Sequence, residues 1–333
     1  MKRSILFLAL AALVALSACE RRPLLILSNS AVLDLTIHDT LPVVGKVFQG
    51  EHYEMRIYGH SDGVYRSSAF WEPTKDTVNI PAGNFDMVFS YFDSQVVHMD
   101  EGENIRTFHA YTRNASTTTK ALFDTISNEV ATRGPKVVKT QGLIGRQYLN
   151  CDVAWEPDWF FAGRSIDVDV PYRSEDDELF VLKADAYSEV RPVIVNVLGI
   201  TGKENVSSLT AFFTGLTRGV YLSTGSPDGD AVAITFQIPV GEDGKASSTY
   251  FRTFGFLPDE QNILLVLITD TAGGNYLFGF NVTDQCEAAL KDPERVVEVS
   301  VSLDFEVPAP EVAGGGLDPT VDDWNVIYHT INL

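Results

Sequence analysis

Asn262-Ile263-Leu264-Leu265-Val266-Leu267-Ile268-Thr269, then Gly273-Gly274-Asn275, then Tyr276-Leu277-Phe278-Gly279-Phe280-Asn281-Val282 decides the fold. Each apolar run is strand-sized, far short of the roughly 20 residues of a bilayer-spanning helix. Glycine and asparagine between them are turn formers. The stretch reads as a buried β-hairpin, and the same pattern extends in both directions.

Upstream, Leu179 to Ala184, Pro192 to Ile200, Thr210 to Thr214, Ala231 to Ile238 and Thr249 to Leu257 all read as strands. Gly225-Ser226-Pro227-Asp228-Gly229 and Gly241-Glu242-Asp243-Gly244 punctuate them, and Val296 to Val307 is a further strand downstream. In the first half, Ala31 to His38 and Tyr53 to Tyr58 alternate apolar and polar residues, as half-buried strands do. Asp76 to Ile80, Phe85 to Phe92 and Phe108 to Thr112 continue the series. Asp167 and Asp169 are expected on one face of a strand, with Ile166, Val168 and Val170 on the other. Many short strands at near-regular spacing imply sandwiches or barrels. One helix is expected between Ala115 and Gly134, stopped by Gly134-Pro135.

The chain has 333 residues, 45% hydrophobic and 21% charged, a globular composition large enough for two domains. Trp155-Glu156-Pro157-Asp158-Trp159-Phe160-Phe161-Ala162-Gly163 reads as a packed corner. The expected division is therefore an N-terminal β-sandwich over 31–163 and a C-terminal one over 164–333. Residues 321–333 form a terminal strand after the flexible Gly314-Gly315-Gly316 joint.

The N-terminus places Lys2 and Arg3 before an apolar run from Ile5 to Leu16, then Ser17-Ala18-Cys19. That order is a secretory signal. Its small-small-Cys ending resembles a bacterial lipoprotein signal over 1–18, with lipidation at Cys19 and a tether over 19–30. The formal net charge is −20, becoming −22 once Lys2 and Arg3 are removed. So acidic a surface repels nucleic acid and anionic headgroups. Attachment to a membrane then falls to acyl chains on Cys19, at about 0.8 kcal/mol per buried CH₂. Cys151 and Cys286 remain, either as a disulfide or as two small buried thiols.

The sequence argues against the common catalytic and metal classes. The six histidines form no HxH or HExxH pattern, and there is no GxSxG, Walker loop or GxGxxG. No cofactor and no metal are expected. Asp228-Gly229-Asp230 and Asp167-Val168-Asp169 carry oxygen ligands without EF-hand spacing, and read better as solvated carboxylates. Trp71, Trp155 and Trp159 are candidates for stacking on sugar rings, against the alternative of core or corner residues.

Several stretches resemble a Bacteroidales family of fimbrillin-like lipoproteins of largely unknown function, related to pilus subunits. They are Phe251-Arg252-Thr253-Phe254-Gly255, Asn281-Val282-Thr283-Asp284-Gln285, Pro308-Ala309-Pro310 with the glycine run, and Val321-Asp322-Asp323-Trp324. In the first half Ile80-Pro81-Ala82-Gly83-Asn84-Phe85-Asp86, Ala110-Tyr111-Thr112 and Pro157-Asp158 fit as well. The resemblance implies two tandem Greek-key, transthyretin-like β-sandwiches, so the expected class is all-β. It implies a non-enzymatic outer-membrane component of fimbriae, structural, anchoring or adhesive, on the cell surface or the periplasmic face. It also implies other fimbrial subunits as partners and assembly by donor-strand exchange, with Trp324, Ile327, Tyr328, Ile331 and Leu333 on the candidate donor strand. The alternatives are that this strand completes its own domain, and that the chain is a stand-alone glycan- or ligand-binding surface lipoprotein.

Overall fold

The computed structural model describes residues 28–310, apart from 42–43, 47–51, 72–76, 101, 173–177, 243–244 and 292–295. The signal 1–18, Cys19, the strand 321–333 and its residues Trp324, Ile327, Tyr328, Ile331 and Leu333 lie outside the described residues.

The chain opens with β1 (Ser28–Ile37) and a small hairpin, β2 (Thr40–Leu41) with β3 (Gly45–Lys46). Then come β4 (Tyr53–Gly59), β5 (Tyr65–Trp71), β6 (Thr77–Pro81), β7 (Gly83–Tyr91), β8 (Val97–Met99) and β9 (His109–Thr112). The helix α1 (Thr117–Thr132) follows, then β10 (Val137–Gln141), a 3-10 turn at Arg146–Leu149 and β11 (Asp152–Ala154). Next are β12 (Phe161–Val170), β13 (Phe180–Ser188), β14 (Arg191–Thr201), β15 (Val206–Thr217), β16 (Gly219–Tyr221) and β17 (Ser226–Pro227). The described chain ends with β18 (Ala231–Gln237), β19 (Ser247–Thr253), β20 (Ile263–Asp270), β21 (Asn275–Asn281), the helix α2 (Thr283–Leu290) and β22 (Val297–Glu306).

The first sheet has the order β5-β4-β7-β12-β13-β1-β6, and its edge strands β5 and β6 approach each other, so the sheet rolls around its own core. Met55, Ile57, Met87, Phe89, Phe161 and Leu182 fill that core. The opposite faces of β4 and β7 carry Tyr58 and Val88, which pack on Phe108, Val97 and Val220 from a small sheet ordered β17-β16-β9-β8. In the second half, the six-stranded sheet β10-β21-β20-β15-β18-β11 faces the three-stranded sheet β19-β14-β22. The alternating valines of β14, Val193, Val195 and Val197, point into this sandwich against Phe213, Val266 and Phe278. The strands on either side of Gly273-Gly274 form the hairpin β20–β21, paired from Ile263↔Asn281 to Thr269↔Asn275.

The six-stranded sheet is apolar on both faces, because α1 covers the outer one. Phe123, Ile126 and Val130 of α1 sit on Phe212, Leu265 and Leu277. Ser116 caps the helix, its hydroxyl accepting from the Thr119 N–H at 3.1 Å.

Three expectations need correction. The division at 163/164 falls inside β12, and β13 pairs in parallel with β1, so the first sheet runs on to Ser188. The stretch from Trp155 to Gly163 is expected to be a corner, but its last residue already lies in β12. Gly163 is a point of close approach, where a Cβ would overlap the Asp185 carbonyl. Conversely β8 to β11 and α1, from the first half, join sheets built with second-half strands. The alternation expected over Ser165–Val170 is also broken. A bulge between Ser165 and Val168 gives Asp167 a φ of 59° and turns Ile166 out to solvent, 53% exposed. Finally, the short helix α2 stands between β21 and β22, where the sequence pattern predicts no helix. Its start is signalled by Asn281, whose side chain accepts from the N–H and hydroxyl of Thr283.

Candidate functional site

The aromatic candidates separate cleanly. Trp71 is 6% exposed and meets Tyr53 edge-on inside the rolled sheet, with ring centroids 6.0 Å apart. It cannot stack on a sugar; the closing of the sheet ends around β5 and β6 buries it. Trp159 is a half-buried wedge packed against both first-half clusters, with the Arg252 guanidinium 5.9 Å from its ring. Only Trp155, 44% exposed, offers a surface.

The residues between these tryptophans act as ties. One Glu156 carboxylate oxygen accepts from both the backbone N–H (3.1 Å) and Nε (2.6 Å) of Arg252 on β19. Asp158 accepts from the Ser94 hydroxyl and from the N–H groups of Gln95 and Val96. The corner read from sequence thus fastens the rolled sheet to the second sandwich.

The edges of the three-stranded sheet are the next candidate surface. An exposed edge strand presents unpaired N–H and C=O groups that invite another strand. Here β22 pairs only with β14, and its other edge is occupied by side chains. Gln285 of α2 accepts from the Ser300 N–H at 2.9 Å and donates to the Ser300 carbonyl at 3.2 Å. A side-chain amide thus makes both hydrogen bonds that a neighbouring strand would make. Lys139 donates to the Ser302 carbonyl at 2.9 Å and pairs with Asp304. On β19, Glu156 occupies the Arg252 N–H in the same way. Neither Gln285 nor Glu156 stands out in the sequence as an edge plug, because the role depends on which strand folds beside them.

Four histidines are paired with aspartates. His38, His52, His60 and His109 each contact an aspartate, Asp185, Asp93, Asp86 and Asp100 in turn, at 2.6–2.9 Å. The hydrogen bond to Asp86 raises the His60 pKa above the ordinary 6.5. Asp86 also accepts from the N–H of Asp167 in the bulge, and the Asp167 carboxylate accepts from the Asn84 side-chain amide at 2.8 Å. Asp228 likewise accepts from the Thr217 hydroxyl and the Asp230 N–H. Among the described residues no three His, Cys, Asp or Glu side chains converge to hold a metal. Cys151 and Cys286 are free thiols rather than a disulfide, and burial pushes both pKa values up to about 12. No described helix is long and apolar enough to cross a membrane.

No protein-family model and no curated protein matches the chain. Solved structures do. A crystal structure of a candidate adhesin from Bacteroides ovatus superposes with a TM-score of 0.56 at 16% identity, over 88% of this chain and 98% of that one. The chain shares the fold of that adhesin-like protein. The fimbrial anchor protein Mfa2 from Porphyromonas gingivalis shares this fold, with a TM-score of 0.51 at 11% identity over 83% of this chain and 90% of that one. Both neighbours are matched over 90% or more of their own length, so the shared fold spans the rolled first sheet and the second sandwich together.

Proposed function

We propose that the chain is a non-enzymatic, lipid-anchored outer-membrane component of Bacteroidales fimbriae, in an anchoring or adhesive position rather than in a repeating stalk. The observation that carries this reading is the fold shared with an adhesin-like protein and a fimbrial anchor. The small-small-Cys ending at Cys19 supports lipid attachment, and the acidic net charge of −20 leaves acyl chains as the means of holding the membrane. The absence of a repeating-stalk role is favoured by the edges of the second sandwich: Gln285, Lys139 and Glu156 occupy the backbone groups that a donated strand needs. Other fimbrial subunits are the expected partners, and Val321 to Leu333 is the segment proposed to meet them or to complete its own domain.

The test is a Cys19→Ala variant in the native host. The reading predicts that it leaves the outer-membrane fraction and that fimbriae are shed into the medium or lost from the cell. Retention of the variant in the membrane would refute lipid anchoring, and unchanged fimbriation would refute the anchoring position. A second reading, a stand-alone ligand-binding surface lipoprotein, is favoured by an open polar cleft beside α1.

A further inference from the structure

We propose that the cleft between α1 and the 3-10 turn at Arg146–Leu149 binds an acidic saccharide, with a sugar carboxylate on Arg146. The cleft has a volume of about 630 Å³, within the range of small-ligand sites. One wall is the flank of α1 beside the 3-10 turn, where Lys120, Asp124, Ser127 and Asn128 follow one another at helical spacing. Arg146 and Gln147 form the other wall, and the buried Leu149 gives an apolar floor for the C–H face of a sugar ring.

Two observations point to a ligand. Ser127 is 5% exposed, lines the cleft, and its hydroxyl has no hydrogen-bond partner among the described residues. A buried hydroxyl left so is unfavourable unless something in the cleft meets it. The Arg146 guanidinium likewise makes no ion pair or hydrogen bond among the described residues, in a chain of net charge −20 where carboxylates outnumber cations. Its planar fork matches a carboxylate. Asn128 and Gln147 each present a donor and an acceptor, the pairing that sugar hydroxyls satisfy. Asp124 is held by Lys120 at 2.5 Å, which lessens its repulsion of an anion without removing it.

The proposal stands apart from the fimbrial reading, because the purified monomer suffices to test it. Calorimetric titration of the mature chain with trigalacturonate and with neutral galactotriose is the experiment. The acidic trimer should bind, and Arg146→Gln should weaken it by about tenfold or more, as loss of a charge-assisted bidentate contact does. Asp124→Asn should tighten it. Trigalacturonate should shift the backbone amide signals of Ser127, Asn128 and Gln147 in the wild-type protein. Absence of binding at millimolar trigalacturonate would overturn the proposal. Equal affinity for the neutral trimer, or unchanged affinity in Arg146→Gln, would overturn it as well.

Discussion

Replacing Gln285 by alanine should open the free edge of β22. The side chain makes two neutral hydrogen bonds to one residue, to the Ser300 N–H at 2.9 Å and from its own amide to the Ser300 carbonyl at 3.2 Å. At an exposed edge each is worth about 0.5 kcal/mol, the low end of the usual range. Alanine is a somewhat better helix former than glutamine and returns a few tenths of a kcal/mol to α2. The net local loss is about 0.5–1 kcal/mol. Hydrogen exchange reads it directly, because that loss corresponds to roughly two- to fivefold faster exchange of the Ser300 amide. The exposed strand edge should also make the variant self-associate as its concentration rises, measurable by analytical ultracentrifugation. Glu287→Ala, on the same helix and exposed, serves as the control and should change neither. Unchanged exchange at Ser300 together with a strictly monomeric variant would refute the argument that Gln285 stands in for a neighbouring strand.

Other consequences follow from burial and pairing. Gly163→Ala should cost several kcal/mol or prevent folding, read by urea denaturation, because its Cβ overlaps the Asp185 backbone rather than a movable side chain. Trp71→Ala should destabilise by about 3–5 kcal/mol in the same assay, as loss of a buried aromatic does. The native Cys151 and Cys286 thiols should resist a thiol reagent at pH 8 and react once unfolded. Stability should fall as pH rises above the ordinary thiol pKa of 9.0, because the unfolded chain ionises first while the folded thiols hold their protons to about 12. The His60 imidazole should titrate above 6.5 by NMR, and Asp86→Asn should bring it down. Its contribution to stability is present below pH 6.5 and is lost as pH rises through the raised value.

Strands were legible in the sequence where burial imposes a pattern. β20 and β21 lie in a sheet covered on both faces and so read as continuous apolar runs, while β14 alternates because one face is open. The helix α1 was legible from Phe123, Ile126 and Val130 despite its threonine-rich start. β5 escaped because Ser67 and Ser68 on a sheet edge carry no apolar signal. The domain division was misplaced because Trp155 to Gly163 does mark a packed corner, while the pairing of β12 with β13 and of β13 with β1 carries the first sheet beyond it. The same ambiguity affects Trp71, whose burial depends on the rolling of a sheet assembled from strands as distant as β1 and β13. Surface roles were the least legible. The residues of the α1 cleft are ordinary polar residues on a helix face, and Gln285 and Glu156 acquire their roles only through the strand edges they meet.

The central claim is that this chain works as part of a fimbria held at the outer membrane. Outer-membrane fractions of the native host, run on a gel unheated and after boiling in detergent and probed for this chain, test it most directly. The account predicts heat-sensitive high-mass species containing the chain in the unheated lane, collapsing to a single monomer band on boiling. A monomer band alone in both lanes, with none of the chain recovered in purified fimbriae, would contradict it.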